Sequence, residues 1–316
     1  MSTALIDRTL SYLPINPEQV DKDDLTKYIE GVLACGADYI EINSTVLKLL
    51  VGRDLSDKFI FRITSASDIK LSASYRFAYV SLPFALSPFF KVLAKVHSII
   101  AEIQTNEYAV LSDLLNLKND PLLKYVSMLR LTGNVCVNSN SAEELVKWYK
   151  QNMHIPLDVC PLNTMLTGAG DSISLLRSHT DALSLSFGRN YYYSSLEDFL
   201  INQYILKRSY MPQEKISALC STSIAFMRVF RSLPCGMERL TSNDNIVTSP
   251  VYDIEKGVVY RPFKAKKKHN PEEDNAIERQ IKSIGLEKEI ENAIIEMLKK
   301  TNYSFYQNII KRNMID

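Results

Sequence analysis

The chain has 316 residues, 46% of them hydrophobic and 23% charged, which is enough for one large domain and an appendage. Lys and Arg number 37 against 36 Asp and Glu, so no overall charge field points to nucleic acid or to an anionic membrane. The opening MSTALIDRTL lacks a charged segment followed by a long apolar core, and no apolar run approaches the roughly 20 residues that span a bilayer. Neither a signal peptide nor a membrane helix is expected, and the protein reads as cytoplasmic.

Short β-rich runs alternate with helical patterns as far as Leu206. The strands are expected at Ala4–Leu10, Tyr39–Asn43, Phe59–Thr64, Phe77–Leu82, Ile99–Thr105, Val126–Thr132, Leu157–Leu162 and Ala182–Phe187. Asp23–Ala34, Pro88–His97, Tyr108–Leu117, Ala142–Gln151 and Asp171–Ser178 carry apolar residues at three- and four-residue spacing, the helical period. Ser141 ahead of Ala142, Glu143 and Glu144 has the form of a capping box, and Ser87–Pro88 puts proline in a first helical turn. The stretch 65–75 reads as either loop or short helix. Eight strands in about 200 residues, each followed by room for a helix, predict a (β/α)8 TIM barrel. A doubly wound open sheet is the rival. It normally opens with a Gly-rich turn, which Leu10–Pro14 is not.

Residues 1–206 are therefore read as the barrel and 207–316 as a helical subdomain. Ser209–Leu233 looks helical and is broken by Pro234–Gly236, while 241–275 is polar and irregular. Asn275–Thr301 has an apolar stripe of Ile277, Ile281, Ile284, Ile290, Ile294 and Leu298, and a last helix is expected at Ser304–Arg312. The basic run Lys264–Lys268 has no interleaved aromatics and reads as a solvated loop rather than a nucleic-acid site.

Several chemistries are disfavoured. The five cysteines (Cys35, Cys136, Cys160, Cys220, Cys235) form no C-x-x-C pair and read as free thiols, mostly buried. The four histidines form no H-x-H or H-E-x-x-H, so no zinc site is indicated. Neither G-x-G-x-x-G nor G-x-x-x-x-G-K-[ST] occurs, so no nucleotide cofactor is expected.

Three segments, in order, carry a family resemblance. Ile6-Asp7-Arg8-Thr9-Leu10 resembles the D-x-T-L-R-D-G opening strand of the homocitrate synthase and isopropylmalate synthase family. Gly36-Ala37-Asp38-Tyr39-Ile40-Glu41-Ile42 is similar to its G-x-x-x-I-E second strand. Val159-Cys160-Pro161-Leu162-Asn163 stands where that family has V-H-x-H-N, and Gly188 with Ser195-Leu196-Glu197 where it has G-E-R-x-G-N-x-x-L-E. Val251–Phe263 and Ile284-Gly285-Leu286 are similar to its lid region.

The resemblance implies a metal-dependent condensation of acetyl-CoA with a 2-oxo acid, yet its functional residues are replaced. Ser11 stands for the catalytic arginine. Tyr12 stands for the metal-binding aspartate, Cys160 and Leu162 for the two histidines, and Tyr193 for the asparagine. The D-T pair that helps hold substrate becomes Gly133-Asn134. Leucine cannot ligate, and a lone thiol beside tyrosines is a poor donor set for Mg²⁺, Mn²⁺ or Zn²⁺. No metal or other cofactor is therefore expected.

In a barrel, sites lie at the C-terminal ends of strands, which nominates Asp7, Glu41, Arg62, Arg130 and Asn163 as ligand-binding candidates for a small carboxylate. The plainer reading of these charges is an internal ion-pair network. Cys160 as nucleophile has no histidine to activate it, and Tyr191-Tyr192-Tyr193 at the same face suits either a ligand or a partner. The sequence thus points to a degenerate, non-catalytic or accessory subunit of a homocitrate-synthase-type acyltransferase. It would be paired with an intact paralogue or with itself, as where nitrogen-fixing clostridia divide that enzyme between two gene products. The alternatives are a metal-independent lyase or acyl-transfer enzyme acting on a 2-oxo acid, and a carboxylate-binding sensor.

Overall fold

Eight short runs dominated by Ile, Leu, Val and Phe form parallel strands whose outer faces are covered by the amphipathic stretches between them. A computed structural model describes residues 3–230 apart from 56, 107, 134, 136–138, 164–167, 189–192, 207, 208 and 210, together with the segments 251–253 and 258–260. The strands are β1 (Ala4–Asp7), β2 (Tyr39–Ile42), β3 (Phe59–Arg62), β4 (Tyr79–Pro83), β5 (Ile99–Gln104), β6 (Met128–Gly133), β7 (Leu157–Pro161) and β8 (Ala182–Leu185). They pair in sequence order and β8 returns to β1, with Ala4 opposite Ala182 and Ile6 opposite Ser184, so the sheet is a closed TIM barrel and the open-sheet rival is excluded. Among the described residues, no helix is long and apolar enough to cross a membrane.

The helices are α1 (Thr9–Tyr12), α2 (Lys22–Cys35), α3 (Ser44–Leu49), α4 (Ala66–Ser72), α5 (Phe90–Leu93), α6 (Val110–Leu117), α7 (Ser139–Asn152), α8 (Gly168–Arg177), α9 (Leu196–Leu206) and α10 (Gln213–Phe230). Local chemistry sets their ends. The Asp21 side chain accepts from Asp23 N at the start of α2, and Gly36 closes that helix at φ +117°. Asn43 caps α3, and Ser65 with Asp68 forms a reciprocal capping box on α4.

Several expectations need correction. The first strand stops at Asp7, because Thr9–Tyr12 turns into a helix where the sequence had suggested strand to Leu10. Asn43 leaves its strand for the same kind of reason, its side chain being spent on the cap. Stretch 65–75 contains a helix, fixed by the capping box. Ser141 is not a cap, since α7 already begins at Ser139. Pro88 sits near the end of a 3-10 turn, Phe84–Phe89, that leads into α5.

By contact the chain divides into Met1–Met237 and Glu238–Asp316. In the first unit α10 lies along α2, with Gly31 so close to Thr222 that an added Cβ would stand 2.2 Å from its Oγ1. Tyr28 of α2 meets Phe226 and Phe230 of α10 and Phe187 just beyond β8, at centroid distances of 6.1, 5.9 and 5.9 Å. Each such buried ring is worth about 1.5–3 kcal/mol. Within 241–275, which the sequence suggested was irregular, Val251–Asp253 pairs antiparallel with Val258–Tyr260. The basic run Lys264–Lys268 and the helices expected at Asn275–Thr301 and Ser304–Arg312 lie outside the described residues.

Gly133 ends β6 at φ +142°, and a Cβ there would stand 1.9 Å from the Thr105 carbonyl oxygen, whereas Gly52 (φ +93°) faces open space. Gly133→Ala should lower unfolding free energy by more than about 2 kcal/mol and Gly52→Ala by about 1 kcal/mol. Urea unfolding of the two variants checks this, and equal losses would remove the close approach of β6 to Thr105 as a constraint.

Candidate functional site

Period-two alternation decides what the barrel encloses. At the N-terminal end of the strands Ile6, Ile60, Ile100, Met128 and Ala182 form an apolar floor, with Ala4, Tyr39 and Tyr79 packed on it. Two residues further along each strand the inward position is polar: Arg8 after Ile6, Glu41 after Tyr39, Arg62 after Ile60, Glu102 after Ile100, Arg130 after Met128 and Ser184 after Ala182. Asp158 on β7 stands in register with Arg130. Three arginines and three carboxylates therefore meet above the floor.

Glu41 is the hub. Its Oε1 accepts from Arg8 Nε (3.0 Å), Ser11 Oγ (2.7 Å) and Arg62 Nη1 (3.4 Å), and its Oε2 accepts from Arg130 Nη1. Glu102 accepts from Arg8 Nη2 at 2.8 Å and takes both Nη1 and Nη2 of Arg62 at 3.0 Å. Asp158 Oδ2 accepts from Arg130 Nε and from Ser184 Oγ (2.7 Å). Arg8, Glu41, Arg130 and Asp158 are fully buried, while Arg62 and Glu102 keep 18% and 11% of their side chains exposed. Burial alone would raise the Glu41 pKa, but Arg130, Arg8 and the Ser11 hydroxyl hold it down to about 2. Burial likewise opposes charge on Arg8, and Glu102 and Glu41 more than offset it, raising its pKa well above the usual value. Among the described residues, four polar atoms facing this interior find no protein partner: Arg130 Nη2, Asp158 Oδ1, Ser81 Oγ and Thr132 Oγ1.

Above the cluster the mouth is partly covered. Leu162 and Tyr193 pair as an isolated antiparallel bridge, and Ser194 N–H donates to the Pro161 carbonyl at 3.1 Å, so the segment after β8 folds back across the strand ends. The Tyr193 ring meets Tyr12 edge-on at 4.6 Å and lies 5.0 Å from the Arg8 guanidinium, a cation–π contact. Cys160 Sγ is buried and accepts from Arg8 Nη1 at 3.2 Å. Burial, against the pull of Arg8 and Arg130, pushes its thiol up to about 12.

Three of the five candidates thus come together: Glu41, Arg62 and Arg130. Asp7 points out of the barrel toward the helices, where its carboxylate accepts from Thr9 Oγ1, Tyr28 OH (3.2 Å) and Phe187 N–H (3.2 Å), and burial pushes it up to about 6. Asn163 spends its Oδ1 on the N–H of Gly168 (3.1 Å), the first residue of α8. Arg8, Glu102 and Asp158 were missed. Their signal in the sequence is a charge two residues beyond an apolar floor position of an otherwise apolar strand, whereas the five candidates were chosen for lying at strand ends. In the opening motif the inward charge is Arg8 and not its neighbour Asp7.

Tyr12, Cys160, Leu162 and Tyr193, the positions that the resemblance assigns to metal ligands, do share one end of the barrel. Their side chains supply two phenols, a thiol held protonated and a hydrocarbon. Among the described residues, no group of three or more His, Cys, Asp or Glu is placed to hold a metal ion. The nearby carboxylates are engaged by arginines, so this donor set does not fit a divalent ion.

No protein-family model and no curated protein sequence matches the chain. Solved structures similar to it include the HMG-CoA lyase of Acinetobacter baumannii in complex with coenzyme A and 3-methylmalate. That match has a TM-score of 0.59 and 13% identity, covering 79% of this chain and 98% of that one. The HMG-CoA lyase of Bacillus subtilis matches at TM-score 0.55 and 12% identity, covering 74% and 95%. The carboxyl transferase domain of Rhizobium etli pyruvate carboxylase with pyruvate matches at TM-score 0.55 and 11% identity, over 72% of this chain and 47% of that one. At such identities the likeness carries the barrel fold.

Behind the mouth, Glu197 is fully buried and binds both ends of the covering segment, accepting from Gly188 N–H (2.7 Å) and Ser195 Oγ (3.0 Å). Burial, then Asp198, pushes its carboxyl from 4.5 up to about 8. A neutral carboxyl of this kind stabilises the fold fully below about pH 4.5, and that contribution is lost as pH rises through about 8. Asp7 acts in the same sense between 3.8 and about 6. Glu41 acts oppositely, its contribution present above 4.5 and lost as pH falls through about 2. Glu197→Gln should therefore gain stability relative to the parent as pH rises from about 5 to about 8.5. Denaturant unfolding at both pH values measures it, and a difference that does not change with pH would contradict the assignment.

Proposed function

We propose that this chain is a catalytically degenerate barrel of the acyl-CoA lyase and carboxyltransferase type, acting as the accessory subunit of a homocitrate-synthase-type acyltransferase. One observation carries the reading. Where the resemblance calls for metal ligands, Tyr12, Cys160, Leu162 and Tyr193 stand together, with Cys160 and Tyr193 against Arg8 of a charge-balanced cluster of three arginines and three acids.

The family's chemistry needs a Lewis acid on the 2-oxo acid and a base that takes a proton from the acyl-CoA methyl group. The first has no donor set here. For the second, Glu41 is a poor base, because its proton affinity is suppressed to about pH 2 by two arginines. Cys160 is a poor nucleophile, since its thiolate is disfavoured until about pH 12. These facts weigh against a metal-independent enzyme run by Glu41, Arg62 and Cys160. A partner retaining the metal residues, an intact paralogue, would supply the chemistry.

A second reading, capture of a small carboxylate, is favoured by the spare donor Arg130 Nη2 and the partly exposed Arg62. It is weakened by the balance of charge, since each arginine already has a carboxylate.

Purified protein titrated calorimetrically with Mn²⁺, and assayed for free thiol release from acetyl-CoA with 2-oxoglutarate, pyruvate or 2-oxoisovalerate, tests the proposal. No stoichiometric metal binding and no thiol release are expected of the chain alone. Turnover above about 1 per second, an ordinary enzyme rate, would overturn it.

A further inference from the structure

Two neighbouring outer segments carry apolar residues on both of their sides. In the turn-and-helix segment 84–96, Phe90 and Leu93 are buried against the barrel, while Phe89, Val92 and Val96 are 38%, 60% and 63% exposed. In α6 and its approach, Val110 and Leu114 are buried, while Tyr108, Leu111 and Leu115 are 91%, 44% and 55% exposed. The outward spacing is the same in both, three residues and then four, so each triplet forms a stripe along one side. The segments follow β4 and β5, which are adjacent in the barrel, and the 3-10 turn Pro121–Tyr125 after α6 packs on α5. A helix apolar on both faces is normally buried on both, and an exposed apolar patch of this extent marks an interaction surface.

The rim narrows the choice of partner. Its described cations are Lys91, Lys95, Lys118 and Lys124. Its described acids, Asp113 and Asp120, are half-buried and accept from Thr105 Oγ1 and Leu122 N–H. A second copy placed face to face would bring lysines against lysines, and like charges across an interface are costly. We propose that this α5–α6 face docks a different protein through an apolar strip flanked by Asp and Glu. The identity of that protein as a catalytic barrel rests on the accessory reading above, but the face does not.

A photo-crosslinking residue placed at 92, 111 or 115 in cells of the native host, with position 30 on α2 as the control, identifies what covers the face. The expected result is one protein captured from all three positions and not from 30, through a peptide bearing acidic residues beside apolar ones. With that protein purified, Lys91→Glu/Lys95→Glu should weaken the complex at least about tenfold, and added salt should weaken it further. Melting curves matching the parent would establish that these exposed-site variants fold. Crosslinks to a second copy or to the chain itself, no crosslink at all, or an affinity indifferent to the charge reversal would each overturn the proposal. A partner that binds as expected but has no acyltransferase activity would leave the face intact and overturn only the accessory reading.

Discussion

Three arginines and three acidic side chains share the inside of one barrel, and each is paired with a group of opposite sign. A charge taken out of water costs several kcal/mol unless it is matched in both sign and hydrogen bonds. Three strands supply the acids, Glu41 from β2, Glu102 from β5 and Asp158 from β7, that answer Arg8 just beyond β1, Arg62 of β3 and Arg130 of β6. Glu41 touches all three arginines, so its position couples the two sides of the barrel. Such a cluster holds strands in register but leaves little charge to spend on a ligand.

The mouth follows from the same constraint. Arg8 reaches Glu41, Glu102 and Cys160 from one side, and its outer face is closed by the Tyr193 ring. That ring is held by the bridge to Leu162 and by Tyr12, and its segment is pinned at both ends by a single neutral carboxyl, Glu197. At this end of the barrel Tyr12, Leu162 and Tyr193 meet one another. The accessory role proposed above is read from that geometry, and the docking face proposed on α5 and α6 is the surface that such a role calls for.

The barrel was legible because strand and helix periods differ and eight strands recur at regular intervals. The ends of the strands were less so. Thr9–Tyr12 and Asn43 look like strand continuations in composition, and only their helical turn and cap show otherwise. Glu41, Arg62 and Arg130 could be nominated together from their places at strand ends. Asp7 could not be separated from them, because the side to which a residue points depends on a register that the sequence does not display. The structure turns Asp7 toward Tyr28 and Arg8 toward Glu41, the reverse of the emphasis that the opening motif invites. The fold-back of the segment after β8 was not legible at all, since it rests on backbone bonds at Ser194 and Ser186 that any residue could make.

The central claim is that the cluster is a mutual neutralisation and not a set of free functional groups. A double-mutant cycle on Arg8→Met and Glu41→Gln tests this most directly, because removing both leaves Arg62 with Glu102 and Arg130 with Asp158, two balanced pairs. Each single variant should lose about 3 kcal/mol or more in denaturant unfolding, and the double should lose at least about 2 kcal/mol less than their sum. Losses that add to within about 0.5 kcal/mol would mean that the two groups do not depend on each other, and would contradict the account.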